Sequence, residues 1–85
     1  MKWQIKCNNG VKANEYWKGN GVYSLYTENV INGKHILIYY FNNRYFLEIN
    51  GELIKKISVE LEDIGRYGKE VFLKYVDKIL ENENI

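Results

Sequence analysis

Two hydrophobic periods divide the chain. Up to residue 57 the apolar side chains come in short runs that alternate with polar ones, and beyond it they recur every three or four residues. The first period is that of half-buried strands, the second that of one helix face. Trp3, Ile5 and Cys7 alternate with Lys2, Gln4 and Lys6, which predicts a first strand. Val11 to Trp17 reads as a weaker second strand, and Val22–Ile31, Lys34–Phe41, Arg44–Ile49 and Glu52–Ile57 as a meander rich in Tyr, Ile, Val and Phe.

Asparagine and glycine punctuate these runs. Asn9-Gly10, Asn32-Gly33 and Asn50-Gly51 each sit between apolar stretches. Asn-Gly there signals a two-residue hairpin, because a type I′ turn needs positive φ at both central positions. Asn42-Asn43 can make the same turn less comfortably, and Lys18-Gly19-Asn20-Gly21 reads as a looser connection. After Ile57, the residues Leu61, Ile64, Gly68, Val71, Phe72, Tyr75, Val76 and Ile79 fall on one helical face. Ser58 is the expected N-cap, and Glu60, Glu62 and Asp63 suit the positive end of a helix dipole. The expectation is a helix over about 59–82, with Glu81 to Ile85 frayed. The rival reading carries the last strand through Val59 and Leu61 and starts the helix near Tyr67. The fold class is therefore α+β: a single domain over 1–85, with five or six antiparallel strands within 1–57 and one C-terminal helix on their apolar face.

Two-residue turns fix register, so the sheet can be threaded from sequence. Threading gives a cross-strand row Tyr26–Tyr39–Phe46–Lys55, flanked by Ser24–Phe41–Arg44–Ile57 and by Glu28–Leu37–Glu48–Leu53. The other face holds Leu25, Ile36, Ile38, Tyr40, Tyr45, Leu47, Ile49 and Ile54, and is the one the helix should cover. Two arrangements fit the aromatic face. In one the N-terminal hairpin folds over it, with Trp3, Ile5 and Val11 completing a second core layer in a small sandwich or partly closed barrel. That is the usual fate of large side chains. In the other the face stays open and binds a ligand, with Tyr26, Tyr39, Phe41, Arg44, Phe46 and Lys55 as the contact residues. Aromatic sheet faces stack nucleobases and also anchor protein interfaces.

At 85 residues the chain has room for one core. Its net charge of +1 excludes a strongly basic nucleic-acid coat and a strongly acidic DNA mimic. The charge is uneven: residues 1–50 carry six basic and three acidic groups, and residues 51–85 six and eight. The sheet is thus mildly basic and the helix mildly acidic. Eleven Asn, ten Lys, ten Ile and eight Tyr against one Ala, two Arg and no Pro are the mark of AT-rich codons. That composition points to a low-GC bacterium or one of its phages.

Candidate chemistry is sparse. Cys7 is the single cysteine, which leaves no intrachain disulfide and suits a reducing compartment. Its place on the apolar side of a strand predicts an inert thiol. His35 is the single histidine and threads to a hairpin end, opposite Asn50, as a surface residue. Glu28 and Glu48 flank Leu37, yet nothing around them supplies a raised pKa or oxyanion donors. No phosphate-loop, dinucleotide, zinc-protease or calcium-loop motif occurs, and Glu60 to Asp63 reads as a helix start, not a metal site. The longest apolar run, Ile36 to Phe41, is six residues against the roughly 20 that span a bilayer. No signal peptide is visible at the N-terminus.

These readings converge on a small non-catalytic binding protein with no cofactor, no metal and no membrane partner, acting in the cytoplasm. The leading expectation is a phage or mobile-element protein that binds and inhibits a host defence protein, anti-CRISPR-like in role. The alternative is a nucleotide or single-stranded nucleic-acid binder, including a sponge for a signalling nucleotide. An excess of Tyr and Trp over what a small core can bury, together with open sheet edges, further predicts a homodimer.

Overall fold

The computed structural model describes residues 3–8, 24–66 and 68–85. They form a small α+β domain whose centre is a four-stranded antiparallel meander: β2 (Ser24–Ile31), β3 (Lys34–Phe41), β4 (Arg44–Ile49) and β5 (Glu52–Ser58). A short strand β1 (Lys6–Asn8) joins the β2 edge, so the sheet runs in the order β1-β2-β3-β4-β5. One helix, α1 (Lys69–Leu80), follows.

The turns behave as their residues dictate. Asn32 and Gly33 have φ of 52° and 77°, Asn42 and Asn43 52° and 59°, and Asn50 and Gly51 51° and 82°. All six central positions are left-handed, the condition for type I′ turns that match strand twist. Asn50 adds a lock across the sheet end: its Oδ1 accepts from the His35 backbone N–H at 3.0 Å, and its own N–H donates to the His35 carbonyl at 2.8 Å.

The register follows these turns as far as β4. Tyr26 pairs with Tyr39, Tyr39 with Phe46, and the row Glu28–Leu37–Glu48–Leu53 forms as threaded. Between β4 and β5 a β-bulge at Leu47/Glu48 shifts the ladder by one residue. Phe46 therefore faces Lys56, not Lys55, and Arg44 faces Ser58, not Ile57. A bulge inserts one unpaired residue and so reverses which side chains point to which face beyond it. Ile57 turns onto the helix-facing core as a result, and Ile54, expected in that core, is exposed.

The helix face of the sheet holds the main core. Leu25, Ile36, Ile38, Tyr40, Tyr45 and Leu47 meet Phe72, Tyr75, Val76 and Ile79 of α1. Tyr45 organises this contact, with its ring stacked on Tyr75 at 4.5 Å and edge-on to Phe72 at 5.2 Å. Burial among these rings pushes the Tyr45 phenol well above its usual pKa. Ile5 is buried in the same core and Trp3 packs against it. The N-terminal segment thus extends the sheet at its β2 edge and serves the helix-side core. Trp3 and Ile5 do not form a second layer over the aromatic face. Thr27, buried beside them, donates its hydroxyl to the Gln4 carbonyl at 2.8 Å. Val11, the Val11 to Trp17 strand, and the Asn9-Gly10 and Lys18 to Gly21 connections lie outside the described residues.

The helix is shorter than its periodicity suggests. Ser58 is the last residue of β5, not an N-cap, and residues 59–66 form a connection containing a 3₁₀ turn at Leu61–Asp63. Gly65, at φ 83°, reverses the chain after that turn. The α-helical bonds begin with Phe72 N–H to the Gly68 carbonyl, at 3.0 Å. Leu61 and Ile64, which continue the helical pattern on paper, are exposed. At the other end the chain stays against the domain beyond Leu80. Asn82 takes φ 67° as a left-handed C-terminal stop, and Ile85 returns to pack on the core.

Candidate functional site

The sheet face turned away from α1 carries the sequence-predicted contact residues, with one exception. Lys55 stands opposite Leu47 on the helix face, where its Nζ donates to the Glu81 carbonyl at 3.1 Å and pairs with Glu83 at 3.2 Å. It fastens the end of α1 to the edge strand. Its neighbour Lys56 occupies the position on the far face that threading had assigned to Lys55. The adjacent pairs Leu53-Ile54 and Lys55-Lys56, which break strict alternation, were the sequence signal for this shift.

The centre of the far face is closed. Tyr39 is 2% exposed, and its ring stacks on Phe46 with centroids 4.9 Å apart and planes 11° from parallel. Its hydroxyl donates to Glu48 Oε2 at 2.8 Å, and Glu48 is itself 5% exposed. A carboxylate brought this far out of water needs such a donor. Phe46, Phe41 and Tyr26 around this centre are half-buried. Lys6, opposite Tyr26 on β1, places its Nζ 6.0 Å from the Tyr26 ring centroid.

The two ends of the face differ. Towards the β2–β3 and β4–β5 turns lie Val30, 64% exposed, and Leu53, 53% exposed. His35 sits there with Nε2 3.0 Å from Glu28 Oε2. Glu28 and Glu48 flank Leu37 as threaded, but each is engaged separately, one by His35 and the other by Tyr39. Towards the β3–β4 turn the face presents Arg44 and Lys56, both exposed and, among the described residues, without an acidic partner. They are diagonal neighbours, because Lys56 pairs with Phe46 and Arg44 lies two residues before Phe46.

A second polar cluster joins the 3₁₀ turn to α1. Buried Asp63 accepts from the Tyr75 hydroxyl at 2.5 Å and from Lys74 Nζ at 2.8 Å, with Arg66 at 3.7 Å. The Tyr75 hydroxyl accepts in turn from the Glu60 backbone N–H at 3.0 Å, and Lys78 pairs with the Glu60 carboxylate. The Lys74 ammonium, seconded by the Tyr75 hydroxyl, holds the Asp63 carboxyl below its ordinary pKa, and the Lys78 ammonium does the same for Glu60. The carboxylates of Glu60, Glu62 and Asp63 lie within 4.8 Å of one another, a spacing a cation could use. Lys74 and Lys78 already supply that positive charge, which makes the cluster a fastening between turn and helix.

Comparison with protein-family models, with curated proteins and with solved structures yields no match.

Proposed function

We propose that this chain is a non-catalytic binding protein whose far sheet face docks on a host protein and inhibits it in the host cytoplasm. In this reading it is a mobile-element product with an anti-defence role like that of anti-CRISPRs. The observation that carries the reading is the make-up of the far face. Half-buried aromatic rings surround a closed centre and are rimmed by exposed Val30, Leu53, Arg44 and Lys56. Aromatic and Arg side chains are the groups that dominate protein interfaces, whereas a nucleobase needs a ring presented flat to solvent. Tyr39 is buried and already stacked on Phe46, which weighs against the alternative of a nucleotide or single-stranded nucleic-acid ligand. Phe46 beside Lys56 and Arg44 is the observation in that alternative's favour.

The test is native mass spectrometry of the chain isolated from its own host, followed by an activity assay of the captured protein. A defined complex with one protein, whose activity falls when pure chain is added, supports the proposal. Co-purified absorbance near 260 nm with no protein partner would overturn it in favour of the nucleotide reading. A homodimer, through a sheet edge or the far face, belongs to the same proposal. Light scattering that returned the monomer mass at ~100 μM would reject any dimer with a Kd near 1 μM, which would be saturated there.

A further inference from the structure

We infer that the Arg44–Lys56 corner of the far face is the docking point for an acidic protein segment, a stretch in which carboxylates alternate with an apolar residue. The inference rests on the protein-binding reading and specifies what the partner must present. Among the described residues most cations are already engaged. Lys55 is held by Glu81 and Glu83, Lys74 by Asp63 and Glu62, Lys78 by Glu60, and Arg66 by Asp63, while Lys6 lies over Tyr26. Among the described residues Lys34, Arg44, Lys56 and Lys69 have no such partner, and of these Arg44 and Lys56 share the far face.

Their spacing matters. Diagonal neighbours on antiparallel strands stand about 7 Å apart, within reach of one carboxylate or of two on the same segment. The other two corners of the patch are apolar: Phe41 directly opposite Arg44, and Phe46 directly opposite Lys56. Cation and ring alternate, so the complementary surface alternates acid and apolar. Arg44 adds a planar fork that grips a carboxylate through two N–H groups. Glu48, the acid of β4, is buried and engaged by Tyr39, and among the described residues no acid pairs with Arg44 or Lys56. Two cations suit a short acidic segment poorly matched by a nucleic-acid backbone, whose binders typically neutralise about six to ten phosphates.

The experiment is a ¹⁵N-labelled titration with an amidated peptide of glutamates around one central phenylalanine, with a thymidine oligonucleotide in a parallel arm. The expected result is saturable shifts at Arg44, Phe46 and Lys56 that weaken as salt rises. The R44Q/K56Q double variant should bind about tenfold less tightly, as loss of two exposed charge contacts implies. Lys69→Gln, a cation on α1, should change nothing. Absence of shifts at these three residues overturns the inference, and so does tighter oligonucleotide binding at the same amides. The two proposals fail separately. A captured host protein that keeps its affinity for R44E/K56E removes the acidic-segment inference and leaves the protein-binding reading intact. Peptide binding without any host complex does the reverse.

Discussion

The two faces of the sheet are made by the same strands, yet they solve burial differently. The helix face is closed by aliphatic side chains and a stack of rings supplied by α1, with Ile36, Ile38, Leu47, Phe72 and Tyr75 fully buried. The far face buries Tyr39 and Glu48 together, a ring and a carboxylate joined by one hydrogen bond, and leaves a half-open rim of mixed apolar and charged side chains. The first arrangement maximises apolar area removed from water. The second gives up part of that gain and, among the described residues, leaves a mixed aromatic and cationic surface partly exposed. In a chain this small, the helix face supplies most of the fully buried side chains of the described residues.

That asymmetry sets the largest expected effect. Phe72→Ala should cost about 3–5 kcal/mol, as core aromatic truncations do. A chain of 85 residues has roughly 4–13 kcal/mol in total, so this variant should be mostly unfolded or close to it. Phe46→Ala, on the half-buried far face, should cost distinctly less. Urea unfolding of both variants checks the comparison, and equal losses would show that the two faces share the load.

The next effect tests the buried pair. Tyr39→Phe keeps the ring and its stack on Phe46 but takes the donor from Glu48. Removing one partner of a buried hydrogen bond costs about 1–3 kcal/mol. The double change Tyr39→Phe with Glu48→Leu should recover part of that loss, because no carboxylate is then left without its donor. Tyr39→Ala should behave as a core truncation, so Tyr39 cannot report on partner binding separately from folding.

The same contrast explains what could be read from sequence. Strand order and register from β2 to β4 were legible because Asn-Gly and Asn-Asn turns leave no slack and no bulge interrupts the β2–β3 and β3–β4 ladders. The bulge at Leu47/Glu48 was not, since no glycine or proline marks it and its trace is the doubled pairs Leu53-Ile54 and Lys55-Lys56. The helix start failed for a different reason. Leu61 and Ile64 fit a period of 3.6 by coincidence, while Gly65 gave the true break. Of the candidate site, Tyr26, Phe41, Arg44 and Phe46 share the far face as threaded. The exchange of Lys56 for Lys55 follows from the bulge, whereas the burial of Tyr39 depends on long-range contacts that local pattern does not encode.

Acid should act on the fastening of α1. Asp63 and Glu60 have pKa values depressed in the folded chain by Lys74 and Lys78. Their contribution is present above the ordinary carboxylate range, near pH 4, and is lost as pH falls through the depressed folded values. Lys74 and Lys78 are raised by the same contacts, so their contribution is present below their ordinary value and is lost as pH climbs through the raised ones. The expected profile is flat between roughly pH 5 and 9 and falls at both ends. Asp63→Asn should lower stability at neutral pH and flatten the acid limb. Unchanged acid sensitivity in that variant would move the titrating group elsewhere.

The smallest effect separates two adjacent lysines. Lys55 lies on the helix face and ties Glu81 and Glu83 to the edge strand, so Lys55→Gln should lower stability by about 0.2–1 kcal/mol, the usual worth of a partly exposed ion pair. Lys56 sits one residue on, across the sheet, with no acidic partner among the described residues. Lys56→Gln should therefore stay within about 0.5 kcal/mol of the parent, as surface changes away from specific contacts do. Added salt should weaken the parent slightly and leave Lys55→Gln less affected, because screening removes what that substitution has already removed. If Lys56 proved the more costly of the two, the register would have to run without the bulge. Lys55 would then return to the aromatic row, and the Arg44–Lys56 corner would cease to exist.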